Sequence, residues 1–490
     1  MIDSAAPRTL RDLLLDRAAS DPDALAFDDG RRRVTYGQLT ARAAGKAARL
    51  ADLGVHHGDR VALALPAGVD WAEAFWAAQL VGAATCAFNP HVPPDVLAGR
   101  AARVRPRLVV HPATFDGVGP ADDIPPEPPV GPEDVACLQP TSGTYGDPRA
   151  AMLLHRTLLA YLAADDHEWA HPGDVFVDWV PPWHDYGLVR FMIGGVAHGV
   201  PCHIVEPAVR TLPRYLERVT EVRGTVIGGP DFAFRLAARM VDPRSVDISS
   251  VRSAGNGGEP VSASTVHRFE EAFGVSGVVQ PGYGLAEATL GVSMHPAGEP
   301  LIVDARGNVA LGPLRAGLEA RVEGDLHEPG EILLRGDAIF AGYLDAPADT
   351  AAALRDGWLH TGDLGYMEDG LLYVLGRRRA MIKRAGGLVA PRELEEAALG
   401  VPGVRLAAAV GLPDRAQLTE TAVVAVEDER AHSSEAGPLA AEIARAVTHA
   451  AGFAPGEVVV VPPRSIPLTA NGKVRHGRLR ELLLQGLFLS

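Results

Sequence analysis

At 490 residues the chain is too long for one hydrophobic core, so two or more domains are expected. Its 47% hydrophobic content fits a well-packed globular protein, and no apolar run reaches the roughly 18 residues that a membrane-spanning helix needs. A net charge of −15 argues against nucleic acid as a main partner, though local basic clusters can still bind small anions. Cys86, Cys137 and Cys202 are odd in number and widely spaced. They suggest neither a disulfide framework nor a zinc site, and fit reduced thiols in a cytoplasm. No basic region followed by an apolar core opens the sequence, so a secretory signal is not expected.

The periodicity predicts an amphipathic helix over 9–21, with Leu10, Leu13, Leu14 and Ala18 on one face. A short strand over 33–36, a helix over 37–53, a buried strand over 59–65 and a helix over 70–81 follow. This alternation argues for an α/β domain with a partly parallel sheet. Residues 120–133 hold six prolines and several acids, and read as a linker into a strand over 134–139. That strand delivers the run Thr141-Ser142-Gly143-Thr144-Tyr145-Gly146-Asp147-Pro148-Arg149. Small hydroxyls and glycines let backbone N–H groups approach phosphate oxygens. It is not a Walker A loop, since no Gly-Lys-Ser/Thr closes it. On its own it reads equally as a phosphate cradle or an ordinary turn, and the bulky Tyr145 is out of character in it.

Alternating α/β material continues to about residue 300. From there to 375 short strands with glycine turns take over, as in 330–336. Gly376-Arg377-Arg378-Arg379 breaks the pattern, and a smaller α/β unit follows with a helix over 392–399 and a strand over 404–410.

Five segments in one order resemble the acyl-adenylate-forming superfamily, which includes acyl-CoA ligases, fatty acyl-AMP ligases, luciferases and peptide-synthetase adenylation domains. They are the Thr141 loop; Gly257-Gly258-Glu259-Pro260; Gly282-Tyr283-Gly284-Leu285-Ala286-Glu287; Trp358 to Gly365; and Pro467 to Lys473. The segments 183–188, 228–234 and 283–290 are similar to the fatty acyl-AMP ligase branch. That branch usually carries an extra segment after Glu287, whereas here 20 residues, 291–310, separate Leu290 from Leu311. In this the chain resembles acyl-CoA ligases.

The resemblance implies an α/β fold with a large N-terminal domain of mixed sheets, helices and a β-rich subdomain over 1–375. A hinge over 376–379 and a small mobile α+β domain over 380–490 would follow. It implies a two-step reaction. A carboxylate attacks the α-phosphate of ATP to give acyl-AMP and pyrophosphate, and a thiol, usually of coenzyme A, then displaces AMP. Asp363 and Arg377 would hold the ribose, and Tyr283 would stack on adenine beside Gly257 and Gly258. Glu287 would be the Mg²⁺ carboxylate, with Ala286 where most members have a threonine. Lys473 would bridge carboxylate and α-phosphate, and His184 would guard the acyl pocket and the thiol route.

Gly386 and Gly387 would line the pantetheine tunnel after rotation about Arg379. Gly229, Asp231, Phe232, Gly255, Gly257 and Gly282, with His184, would form the acyl pocket, whose glycines hint at a bulky or long apolar group. Thr141, Ser142, Gly143, Thr144 and Arg149 would cradle the β,γ-phosphates. Two departures weigh on that role: Tyr145 stands where the family has a small residue, and Arg149 where it usually has lysine. They motivate a hypothesis of impaired adenylation, with a second adenylating enzyme supplying acyl-AMP and this chain performing thioesterification alone. The resemblance is also compatible with loading of a carrier-protein phosphopantetheine, or with a silent adenylate-binding module.

Overall fold

The structure, a computed structural model, describes residues 9–126, 128–141, 149–164, 170–305, 307–324, 329–384, 387–414, 419–468 and 474–487. The first helix spans Leu10–Ser20 and opens on a reciprocal cap. Thr9 Oγ1 accepts from the Asp12 N–H (3.3 Å), and Asp12 Oδ2 accepts from the Thr9 N–H (2.8 Å). Thr35 and Gln38 repeat the device at the start of the helix Tyr36–Asp52. The helix Val69–Leu80 is apolar nearly all round, with Trp71, Phe75 and Trp76 fully buried, as expected of a helix packed on several sides. The proline-rich segment lies across these helices: Arg11 Nη2 donates to the Pro125 carbonyl (2.9 Å), and the Ala121 N–H to that of Ala41 (2.9 Å).

Among the described residues the strands group into five sheets. One has Arg60–Leu63 between Leu108–Val110 and Ala84–Ala87, then Val135–Pro140 and the antiparallel edge Ala150–Leu154. The largest runs Gly291–Met294, Val279–Gly284, Ser253–Asn256, Val226–Gly229, Phe176–Asp178, Cys202–Ile204, Leu25–Asp28, Arg33–Thr35. Its interior pairs are parallel and its two edge pairs antiparallel. A third sheet is antiparallel and built on Gly330–Gly336, Trp358–Glu368 and Leu371–Arg377. Its last strand stays paired through Arg377, opposite Asp363. A two-stranded hairpin, Ile382–Arg384 with Gly387–Val389, leads to the C-terminal part.

There Leu406–Asp414, Thr419–Glu427 and Glu457–Val461 form a sheet covered on both faces. Alternate residues serve opposite cores. Ala407, Ala409, Val424 and Val426 meet the helices Pro391–Leu399 and Ala436–Ala451, whereas Ala408, Val410, Val423 and Ala425 meet Leu479 and Leu483 of the helix His476–Leu484. A sheet buried twice explains why these strands read as continuous apolar runs.

Candidate active site

The strands Val226–Gly229, Ser253–Asn256 and Val279–Gly284 lie side by side and parallel. Ligands of open α/β sheets bind beyond such carboxyl ends. Here those ends feed the turns 257–260 and 285–287 into a cavity of about 800 Å³. Thr141 and Arg149 also line it, with Asp363 and Arg377 from the antiparallel sheet and Arg392, Glu395 and His476 from the C-terminal part.

Two carboxylates anchor one side. Asp363 is buried: its Oδ2 accepts from the Tyr283 hydroxyl (2.6 Å) and its Oδ1 from Arg377 Nε (2.8 Å). Arg377 Nη1 also donates to the Thr361 carbonyl (2.9 Å). The Asp363 charge holds the Arg377 guanidinium more firmly protonated than usual, and burial followed by Asp363 pushes the Tyr283 phenol well up. Each carboxylate oxygen accepts two hydrogen bonds, so Asp363 retains capacity for ligand hydroxyls.

Glu287 is the second. Its Oε1 accepts from the Tyr343 hydroxyl (2.6 Å), and its carbonyl accepts from the Phe340 N–H (2.9 Å). Two residues on, Thr289 holds φ +69° and ψ −50°. This is a γ-turn closed by Leu290 N–H to the Ala288 carbonyl (2.8 Å) and pinned by Thr289 Oγ1 to the Ala338 carbonyl (2.6 Å). A β-branched residue in this region costs about 1–3 kcal/mol, which the surrounding bonds offset. Among the described residues no three metal-ligating side chains cluster. Mg²⁺ commonly takes one or two carboxylates together with substrate phosphates, and a lone Glu287 facing the cavity fits that habit.

Thr141 and Arg149 close the neck of the first motif. Thr141 N–H donates to the Arg149 carbonyl (2.7 Å), and Arg149 N–H to Thr141 Oγ1 (3.2 Å). The Arg149 guanidinium meets Asp349 (3.2 Å) and stands 5.0 Å from the centre of the Tyr343 ring. Ser142, Gly143, Thr144 and Tyr145 lie outside the described residues, as do Gly386 and Lys473. Leu468 and Val474 form an antiparallel bridge beside the last motif, and Val474 lines the cavity.

The glycines of the second and third motifs line the cavity as expected: Gly255, Gly257 and Gly258, then Gly282 and Gly284, with Glu259, Pro260 and Ala286. Gly258 sits at φ +84°, where a side chain is strained. His184, 2.5 Å from Asp185 through Nδ1, and Arg379 also line it.

Gly229, Asp231 and Phe232, expected at the acyl pocket, stand off the wall. Asp231 is turned into the core, where Thr265 Oγ1 (2.9 Å), Ser262 N–H (3.1 Å) and Asn256 Nδ2 (3.2 Å) donate to it, and burial raises its pKa. Phe232 packs on Trp179 (ring centres 6.3 Å), and its N–H donates to Glu259 Oε1 (2.6 Å). Asp231 and Phe232 open the helix Asp231–Met240. Gly387 is exposed on its hairpin, paired with Arg384.

Several lining residues were not expected from the sequence: Tyr186, Arg190, Gln280, Ser293, Arg315, Tyr343, Arg392, Glu395 and His476. The Tyr186 hydroxyl donates to the Gly255 carbonyl (2.9 Å), and a Cβ on Gly228 or Gly255 would collide with it. From the C-terminal part, Arg392 Nη2 donates to the Val261 carbonyl (2.5 Å) across the cavity rim. His476 Nε2 meets Glu395 Oε1 (2.6 Å). Burial disfavours the imidazolium, yet Glu395 holds the His476 pKa above its ordinary 6.5.

The sequence pattern of AMP-binding enzymes matches residues 14–344, and that of the AMP-binding enzyme C-terminal domain matches 393–473. The chain belongs to the AMP-binding enzyme family. A putative ligase of Mycobacterium tuberculosis is 33% identical over 74% of this chain and 73% of its own. A feruloyl-CoA synthase of an Amycolatopsis species is 30% identical over 95% and 97%. A structure from a study of fatty acyl-adenylate ligases from E. coli and L. pneumophila superposes with a TM-score of 0.87 at 28% identity, over 99% and 98%. Among the described residues no helix is long and apolar enough to cross a membrane.

Proposed function

We propose that this enzyme activates a carboxylic acid as acyl-AMP and passes the acyl group to coenzyme A. The observation that carries the reading is the convergence on one cavity of Asp363 with its Tyr283 and Arg377 partners and of Glu287 with Tyr343. Both half-reactions build negative charge on oxygen, and fixed donors in a partly enclosed site stabilise it without reorganising. In the first, an acid oxygen bonds to the α-phosphorus and the bond to pyrophosphate breaks. In the second, a thiolate bonds to the acyl carbon and AMP leaves.

Asp363 accepts from the ribose hydroxyls and orients Arg377. Tyr283 packs on adenine against Gly257 and Gly258. Glu287 holds Mg²⁺, which when bound neutralises phosphate charge. Lys473 serves the α-phosphate, and His184 stands at the acyl entrance. Residues 376–379 form the hinge between a 1–375 domain and a 380–490 domain. Gly386 and Gly387 serve the thiol arm after rotation about Arg379. The feruloyl-CoA synthase relative supports coenzyme A as an acceptor.

A second reading, thioesterification alone, is favoured by Arg149: its engagement with Asp349 and the Tyr343 ring competes with phosphate. Supplying acids with ATP and Mg²⁺, then acyl-AMP with coenzyme A, while following pyrophosphate and thioester separately, tests both. Formation of both products is expected. Thioester from acyl-AMP without pyrophosphate from any acid would overturn the first reading in favour of the second.

A further inference from the structure

The run Leu188-Val189-Arg190-Phe191-Met192-Ile193 sets one cation among five apolar residues. It lies in a π-helical segment, Tyr186–Ile193, a wide-turned geometry frequent at functional sites. Arg190 is 1% exposed, yet it lines the cavity, and so does Arg315 at 4%. Arg190 Nη2 donates to Ser253 Oγ (3.2 Å), and Nη1 lies 3.6 Å from Met294 Sδ. Ser253 donates on to Gln280, whose Nε2 donates to the His295 carbonyl (3.0 Å). The guanidinium stands 3.6 Å from where a Cβ of Gly255 would be, a space the Tyr186 hydroxyl fills, so the glycine admits Tyr186 and Arg190 side by side.

Depth separates this group from the nucleotide-facing ones. Ser253 begins the strand that ends at Asn256, so Arg190 lies at the body of the sheet, beneath the turns 257–260 that crown the strand ends. Burial disfavours its charge, and Arg315 and Arg252 add to that. Burying a guanidinium is costly and arginine cannot escape by losing its proton. A wall needing only shape would use leucine or methionine.

We propose that Arg190, with Arg315 lining the same cavity, receives a carboxylate at the far end of the acid, so that the substrate class is a dicarboxylic acid activated at one end. The planar fork suits a carboxylate bidentately, and the electropositive floor repels nothing such an acid presents. This rests on the acid-activating reading of the cavity, and it replaces the expectation of an apolar acyl group.

The test compares length-matched pairs, hexanoate with adipate and octanoate with suberate, by pyrophosphate release and thioester formation. Wild type is expected to favour the diacid by about 10- to 100-fold in kcat/KM. Arg190→Met should shift the preference to the monoacid, and Arg190→Lys should retain part of the diacid preference. Wild-type preference for monoacids, or an Arg190→Met ratio equal to wild type, would overturn the inference. If neither product forms with any acid, the activation reading fails separately. Calorimetric binding of the same acids to wild type then decides: tighter diacid binding supports the site, and equal or weaker binding overturns it. The wild-type comparison needs no variant to fold.

Discussion

The two sides of the cavity are built differently. On the N-terminal side each carboxylate is held from a separate element, Asp363 by Tyr283 and Arg377 and Glu287 by Tyr343, and the Glu287 main chain is fixed as well, its carbonyl accepting from the Phe340 N–H. On the C-terminal side Arg392 reaches across to a single carbonyl, and the His476–Glu395 pair lies within that part. One side is fixed before a ligand arrives; on the other, the proposed rotation would break the Arg392–Val261 bond. That division suits a reaction in which one site must present different groups in succession.

The comparison can be broken most directly at Asp363. Asp363→Ala should lower adenylation by on the order of 100-fold or more, because a pre-placed acceptor is lost and Arg377 loses its anchor. Pyrophosphate exchange measures it. Tyr343→Phe should cost about 10-fold, the scale of one hydrogen bond to a charged group, and raise the Mg²⁺ concentration needed for half-maximal rate. Arg392→Ala should cost less, about 2- to 10-fold, while amide exchange quickens across 257–261. A larger loss at Arg392 than at Asp363 would invert the comparison.

The smallest effect is in the pH dependence of stability, where one histidine from each part of the chain has the opposite sign. His155 accepts from the Leu10 N–H through Nδ1 (3.0 Å), and burial lowers its pKa to about 4. The unfolded chain therefore binds the extra proton between about 4 and 6.5, and stability falls as pH drops through that window. His476 has a raised pKa, so its contribution is complete below 6.5 and is lost as pH rises through the raised value. Melting curves should show His155→Gln flattening the acid limb and His476→Gln the neutral-to-alkaline one, each by a few degrees.

Local signals in the sequence were direct where one physical cause acts. Apolar patterning places the helices Leu10–Ser20, Tyr36–Asp52 and Val69–Leu80 to within a residue or two of expectation. The five motifs locate the glycine turns and the carboxylates that meet at the cavity. Side-chain direction was not legible. Asp231 follows a glycine-rich strand end, but its helix turns the carboxylate into a core of donors. Nor was partnership across distant elements: Arg149 reads as a phosphate cation until Asp349 and Tyr343 are placed beside it. Arg190 did carry a signal, a lone charge in an apolar run, since such residues are seldom fully buried without a reason.

The Arg392 contact has a genetic consequence. Its acceptor is a main-chain carbonyl, that of Val261, present whatever residue occupies the position. No side-chain replacement at 261 deletes it. A substitution that removes one of its two bonding groups must therefore arise on the C-terminal side, at Arg392, whose guanidinium the Glu396 carboxylate steadies at 2.7 Å. Drift on the two faces of the junction is thus unequal: one can vary its side chain while keeping the acceptor, and the other must keep a guanidinium.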